Sequence, residues 1–220
     1  AIRADLMGKD VDPKGNPIPR ERRLNLARKF VEAGCVSAGY SLESGNDKIL
    51  ETMNKKVKSK YFHEQVKICR EAGLITNTSL VIGYPEESDQ DFKDTINLIK
   101  KIKFINSYSF IFSPRPGTRA SELQKIDKNL AQERLIYMQD LLFKYQSQIN
   151  KSFEKNFIEV LVENKMKDQN KYFGRNKYLS SVIFEDFNHN VGKIINVKIE
   201  KSNKKTLFGK VDKPKNMKAA

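Results

Sequence analysis

Three short stretches of this chain hold the residue types able to do chemistry. They are Ser41-Leu42-Glu43-Ser44-Gly45-Asn46-Asp47, Val81-Ile82-Gly83-Tyr84-Pro85 and Ser113-Pro114-Arg115-Pro116-Gly117-Thr118. Each follows an apolar run and opens toward a helical pattern. That is the layout of a parallel β/α sheet with its active face at the carboxyl ends of the strands. Glu43 places a carboxylate at a strand end, followed by the small Ser44 and Gly45, a set that suits the hydroxyl groups of a ribose. Gly83 lets a ligand approach the backbone closely, and the exposed backbone beside Val81 suits a purine edge. A strand running into a glycine turn is common in any α/β protein, so each stretch alone reads first as structure. Together, at consecutive strand ends, they point to one site. Arg115 stands between two prolines that fix its backbone. It suits either a carboxylate or phosphate ligand, or a structural role in a surface turn.

A second set is built for a different partner. Lys171-Tyr172-Phe173-Gly174-Arg175-Asn176-Lys177-Tyr178 interleaves cations and aromatic rings. Single-stranded RNA is held by charge neutralisation plus stacking on aromatic faces, and Asn176 suits a base edge. Lys171, Tyr172, Phe173, Arg175, Asn176 and Lys177 are therefore the expected RNA contacts. The alternative is a solvated turn with Tyr172 and Phe173 packed on the domain beneath. The formal net charge is +14, and residues 151–220 hold 16 Lys and Arg against 8 Asp and Glu. Nucleic acid is the first partner for such a chain and an anionic membrane surface the second. A Lys-rich composition from an AT-rich genome accounts for the charge equally well.

Other chemistries are poorly provided for. His63 and His189 are the only histidines, and both read as solvated. Cys35 and Cys69 are the only cysteines; both are expected as buried core thiols in a reducing cytoplasm. No CxxC pair, P-loop, zinc motif or Ser-His-Asp set stands in the sequence, and no apolar run approaches a membrane span.

The elements that position these residues follow from periodicity. Helical spacing marks 23–34, 47–53, 58–72 with Gly73 as its stop, a helix capped by Ser88 and Asp91, and a long helix over 128–151. The last carries a stripe of Leu130, Leu135, Met138, Leu142, Tyr145 and Ile149. Strands are expected at 1–6, 36–42, 74–83 and 104–112. Strands alternating with helices give a parallel α/β sheet, about half of an eight-stranded barrel. Beyond 152 the period changes to two, at 159–163, 178–184, 195–199 and 205–211, which predicts a small antiparallel sheet or barrel. The domains are thus 1–152 and 153–212, with a polar tail over 213–220. The abrupt start, with no initiator Met, suggests a piece of a longer protein.

At these residues the chain resembles a known family. Ser79 to Glu86 resembles the GxIxGxxE motif of the radical S-adenosylmethionine (SAM) superfamily, with Ser79 at the first Gly, Val81 at the Ile, and Gly83 and Glu86 retained. Glu43 stands where that superfamily places a ribose contact. From about residue 91 the stretches "FIFSPRPGTRASEL", "ERL", "VLVE", "YFGRNKYLSSVIF" and "LFGKV" resemble a tRNA methylthiotransferase of the isopentenyladenosine branch. "EAGCVSAGYSLESGNDKILETMNKK" and "ITNTSLVIGYP", within residues 1–90, are more similar to cobalamin-associated radical-SAM proteins. Methylthiotransferases usually carry a Gln where Glu43 stands. The resemblance implies a partial radical-SAM β/α barrel followed by a TRAM β-barrel that binds tRNA. It implies SAM bound by Glu43, Ser44, Gly45, Val81, Gly83 and Arg115. It also implies an iron–sulfur cluster, but the CxxxCxxC loop that holds that cluster is absent from this chain. The chain is then expected to supply part of the SAM pocket and the RNA-reading barrel, without turnover, next to a missing N-terminal half. A fragment of a cobalamin-type enzyme or a non-catalytic RNA-binding module are the competing readings.

Overall fold

The computed structural model describes residue 3 and residues 5–167, 170–186 and 191–211. The expectations for His189 and for the polar tail lie outside the described residues. The elements run α1 (Arg20–Glu32), β1 (Ser37–Glu43), α2 (Asp47–Thr52), α3 (Ser59–Glu71), β2 (Ile75–Leu80), α4 (Asp89–Ile102), α5 (Arg119–Glu122) and α6 (Lys128–Ser152). Then come β3 (Phe157–Lys165), β4 (Lys171–Asn176), β5 (Ser181–Glu185), β6 (Ile194–Ser202) and β7 (Thr206–Lys210). The chain divides into two units. One holds residues 1–102 and 108–139, the other 103–107 and 140–220, so the long α6 contributes to both.

In the first unit β1 and β2 pair in parallel, Ser37 opposite Ile75 through Ser41 opposite Ser79. Parallel strands need a crossover, and α2 and α3 supply it. Met7, Leu24, Ala27, Tyr40, Leu42, Phe62, Ile68 and Cys69 form the core. Tyr40 and Phe62 meet edge to face, with ring centroids 5.6 Å apart. The Tyr40 hydroxyl lies 2.9 Å from the Cys69 sulfur, and burial pushes both groups' pKa values up. Cys69 is thus the expected inert core thiol. Cys35 is a correction: it is exposed, because it sits in the turn before β1 beside an exposed Val36.

Gln65 is fully buried, and its Oε1 accepts from the Met7 and Gly8 amides. It ties the first residues to α3. Asp5–Gly8 form a turn there, rather than the end of a strand.

The start of α4 follows the sequence closely. The Ser88 Oγ accepts from the Asp91 amide, and the Asp91 carboxylate accepts from the Ser88 amide at 2.9 Å. This reciprocal pair satisfies two donors that a helix start leaves without partners. Ser88→Ala is expected to cost about 1 kcal/mol, read as a lowered midpoint in urea unfolding.

The strand expected over 104–112 does not form. A single parallel bridge joins Ile82 to Ile111, and Tyr108 and Phe110 are exposed. Period-two spacing assigns sides, but a ladder also needs a partner strand. Here β2 ends at Leu80, because the register slips between Ser41 and Glu43. The Asn106 side chain also accepts from the Ser107 amide, a local bond that competes with pairing. Among the described residues the first unit therefore has a two-stranded parallel sheet extended by one bridge, rather than four strands.

The second unit holds a closed barrel in the order β3-β4-β5-β7-β6. All neighbours are antiparallel except β5 and β7, which run parallel, so the barrel is mixed rather than antiparallel throughout. Val160, Val162, Tyr172, Val182, Phe184, Val197, Ile199 and Leu207 fill it from alternate positions. β4 is the strand missed in the sequence reading. Tyr178, expected in a strand, stands in the turn before β5.

Candidate functional site

The three strand-end stretches come together side by side in the first unit. The Val81 amide donates to the Glu43 carbonyl at 2.7 Å, and the Phe112 amide donates to the Ile82 carbonyl at 3.0 Å. These bonds carry the parallel order past the last ladder pair and bring Glu43, Val81 and the approach to Arg115 onto one edge.

Glu43 adopts a left-handed backbone, φ 76°, where its neighbour slips out of register. Such a conformation costs about 1 kcal/mol or more in a residue with a Cβ, and it is held here by the pairing around it. Its carboxylate is largely buried and accepts from Lys55 Nζ at 3.2 Å and the Ser79 hydroxyl at 3.4 Å. A largely shielded carboxylate with a partly exposed lysine partner is suited to vicinal hydroxyls. Gly83 has φ 74°, which a glycine adopts without strain. Its amide donates to Glu87 Oε2 at 3.2 Å. Val81 is half-buried.

Two expected contacts turn inward instead. Ser44 is fully buried, and its hydroxyl lies 3.3 Å from that of Thr95 on α4. Gly45 lies so close to α4 that a Cβ would meet Thr95 Cα at 2.7 Å. Both fasten the β1–α2 loop to α4, so the small residues after Glu43 serve packing. Arg115 is exposed, and its carbonyl accepts from the Thr118 amide and hydroxyl in a tight turn. His63 is half-buried on α3. Burial, then Lys67 and Lys101, hold its pKa below the ordinary imidazole value.

A carboxylate next to Gly83 is the main discovery of this region. Glu87 is buried and pairs with Arg134 of α6: Nη1 lies 2.9 Å from Oε2, and it also donates to the Glu87 carbonyl. Arg134 Nη2 reaches Asp89 at 2.7 Å, and the guanidinium lies over the Phe92 ring. Glu87 Oε1 and Arg134 Nε have no hydrogen-bond partner among the described residues. Burial raises the Glu87 pKa, against the Gly83 amide and Arg134, which lower it. Asp89 is held below its ordinary value by its bond to Arg134. The arginine thus clamps the whole turn from Gly83 to Asp89.

In the barrel, Lys171–Asn176 of the stretch expected to contact RNA form strand β4. Its side chains alternate: Tyr172, Gly174 and Asn176 face in, and Lys171, Phe173 and Arg175 face out. Tyr172 is buried and stacks on Phe184 with centroids 6.2 Å apart. Asn176 is buried too, and its Oδ1 accepts from the Tyr178 and Ser180 amides to fix the turn into β5. Of the expected RNA contacts, Tyr172 and Asn176 are thus placed inside the barrel by the strand's alternation. Arg175 pairs with Glu163 at 2.6 Å and lies over the Phe173 ring. Lys177 is exposed and lies over Tyr178.

The Radical SAM superfamily model matches residues 16–99, and the TRAM domain model matches residues 151–211. The chain carries radical SAM and TRAM domains. It is 48% identical over 181 residues to the tRNA-2-methylthio-N(6)-dimethylallyladenosine synthase of Pelagibacter ubique (strain HTCC1062), a match covering 81% of this chain and 41% of that protein. Proteins of the same name from Rickettsia akari (strain Hartford) and Clostridium novyi (strain NT) are each 34% identical, over 77% and 82% of this chain and 39% and 41% of theirs. The chain thus spans about two fifths of the length of these relatives. The radical SAM and TRAM reading of the sequence is borne out.

Glu86, which the resemblance places at the motif carboxylate, is exposed with φ 65°, whereas the adjacent Glu87 points into the protein and holds Gly83. Arg134 was legible in principle: it sits on the buried face of α6 with Ala131, Leu135 and Met138, where a charge demands a partner. Among the described residues no helix is long and apolar enough to cross a membrane.

Proposed function

We propose that this chain is the carboxyl-terminal part of a SAM-dependent tRNA methylthiotransferase, which adds a methylthio group to an isopentenyladenosine next to the anticodon. The observation that carries this reading is the order of two matches in one chain, radical SAM at 16–99 and TRAM at 151–211, shared with synthases of that name. The apposition of the Glu43, Val81 and Phe112 backbones supports a single adenosyl-ligand site at the strand ends. Glu43 receives the ribose hydroxyls, and Arg115 at the next loop meets the carboxylate of the ligand. When bound and reduced, SAM supplies the chemistry that breaks a C–H bond of the base. The protein's share is to hold and orient the ligand and to exclude water.

The residues present do not fit an iron–sulfur cluster. A cluster takes a concerted set of thiolates, but this sequence has two cysteines. Cys35 is exposed, while Cys69 is buried against Tyr40 and Met7. Turnover then depends on polypeptide other than these residues, and this chain alone binds without reacting.

Titration calorimetry with SAM tests the pocket. The chain is expected to bind it, and Glu43→Ala to weaken binding by about tenfold or more, the worth of hydrogen bonds to a charged group. Equal affinity for both proteins would take Glu43 out of the pocket, and no heat from the parent chain would end the SAM reading.

A further inference from the structure

We propose that the outer wall of β4, β5 and β7 is a base-stacking platform for single-stranded RNA, built on Phe173, Ile183 and Phe208. The inference rests on the tRNA reading above and gives it a face. The register places these three residues in one row: Phe173 lies opposite Ile183, and Ile183 opposite Phe208. Each faces away from the core, between neighbours that fill it. All three are half-buried, so apolar surface remains open to solvent across three adjacent strands.

The row runs from Asn164 on β3, opposite Phe173, to Lys201 on β6, opposite Phe208, and a cation lies against each of its two rings. Arg175 lies 5.2 Å from the Phe173 ring centroid, and Lys201 lies 5.6 Å from that of Phe208. Lys201 stands directly opposite Phe208, because a bulge in β6 between Ile199 and Lys201 turns it outward. Arg175 has its charge met by Glu163, while Lys201 is exposed. Two rings joined by an apolar side chain, with a cation against each ring, suit bases that stack while phosphates are neutralised. The excess of 16 cations over 8 anions in residues 151–220 favours a polyanion over an acidic or neutral peptide. The occupant is therefore a stretch of unpaired RNA, such as a hairpin loop.

The test uses the full chain and a fluorescent RNA hairpin with a seven-nucleotide loop, followed by anisotropy at several salt concentrations. Phe173→Leu with Phe208→Leu keeps an apolar wall but removes the flat rings. This variant is expected to bind roughly tenfold or more weakly with an unchanged salt slope, since stacking is not electrostatic. Lys201→Ala is expected to lower the slope and leave the preference for unpaired over duplex RNA unchanged. Thermal melts of both variants show whether the barrel is intact. If the double variant melts like the parent and binds like it, the platform is wrong even though the tRNA reading stands. If the parent binds no RNA, the tRNA reading fails first.

Discussion

Arg134→Ala is expected to destabilise the first unit by about 3–5 kcal/mol, because it leaves a buried Glu87 carboxylate without its counter-ion. In calorimetric scans this corresponds to a drop on the order of 10 °C in Tm. The pH dependence follows from the sign of the shift. Burial raises the folded-state pKa of Glu87 above its unfolded value. The folded state therefore binds this proton more tightly. The stability it contributes is complete below the unfolded pKa and is lost as pH rises through the folded one. Arg134 limits that loss by lowering the folded value, so removing it widens the window. The difference between variant and parent should be largest at neutral pH and shrink toward pH 4, where Glu87 is protonated in both states. Adding Glu87→Gln to Arg134→Ala removes the uncompensated charge and should restore much of the loss at pH 7. A deficit that stays constant from pH 7 to pH 4 would show that the ion pair is not its cause.

The second large effect lies in the barrel. Tyr172 is buried on Phe184 in a core of eight residues. Truncating a buried aromatic side chain costs about 3–5 kcal/mol. A domain of some sixty residues holds only about 3–9 kcal/mol in total. Tyr172→Ala should therefore leave the barrel largely unfolded at 37 °C, seen as rapid proteolysis and collapsed amide dispersion in NMR spectra. Tyr172→Phe, which keeps the ring stack, should retain most of the stability. A well-dispersed spectrum for Tyr172→Ala would mean that the ring is not the keystone its burial indicates. In the expected unfolded variant, loss of RNA binding follows from unfolding rather than from a missing contact.

The helices and the change of texture near residue 152 were legible because they depend on local spacing. Gly73, the Ser88–Asp91 pair and the stripe through Leu135, Met138 and Leu142 are all set by near neighbours in the chain. Failures came where a distant partner decides. Residues 104–112 alternate as a strand does, but among the described residues only Ile111 finds a bridge partner. Lys171 to Lys177 has the composition of a binding loop, yet pairing on both sides by β3 and β5 makes it a strand that buries every second residue. Alternation applied to that stretch would have separated Phe173 and Arg175 from Tyr172 and Asn176. At the strand ends, the apposition of the three stretches was readable from their order. The burial of Ser44 and the choice between Glu86 and Glu87 depend on contacts with Thr95 and Arg134, some fifty residues away.

The ring of five strands has no first or last member, since β6 closes back on β3. Each strand leans on two others, so none can peel away while the rest persist. Loss of one rung propagates around the circle, and the domain melts as a unit instead of fraying. The same closure leaves no bare ladder on which a second molecule could nucleate a fibre, which lets a strongly aromatic wall face water without inviting self-association along the backbone.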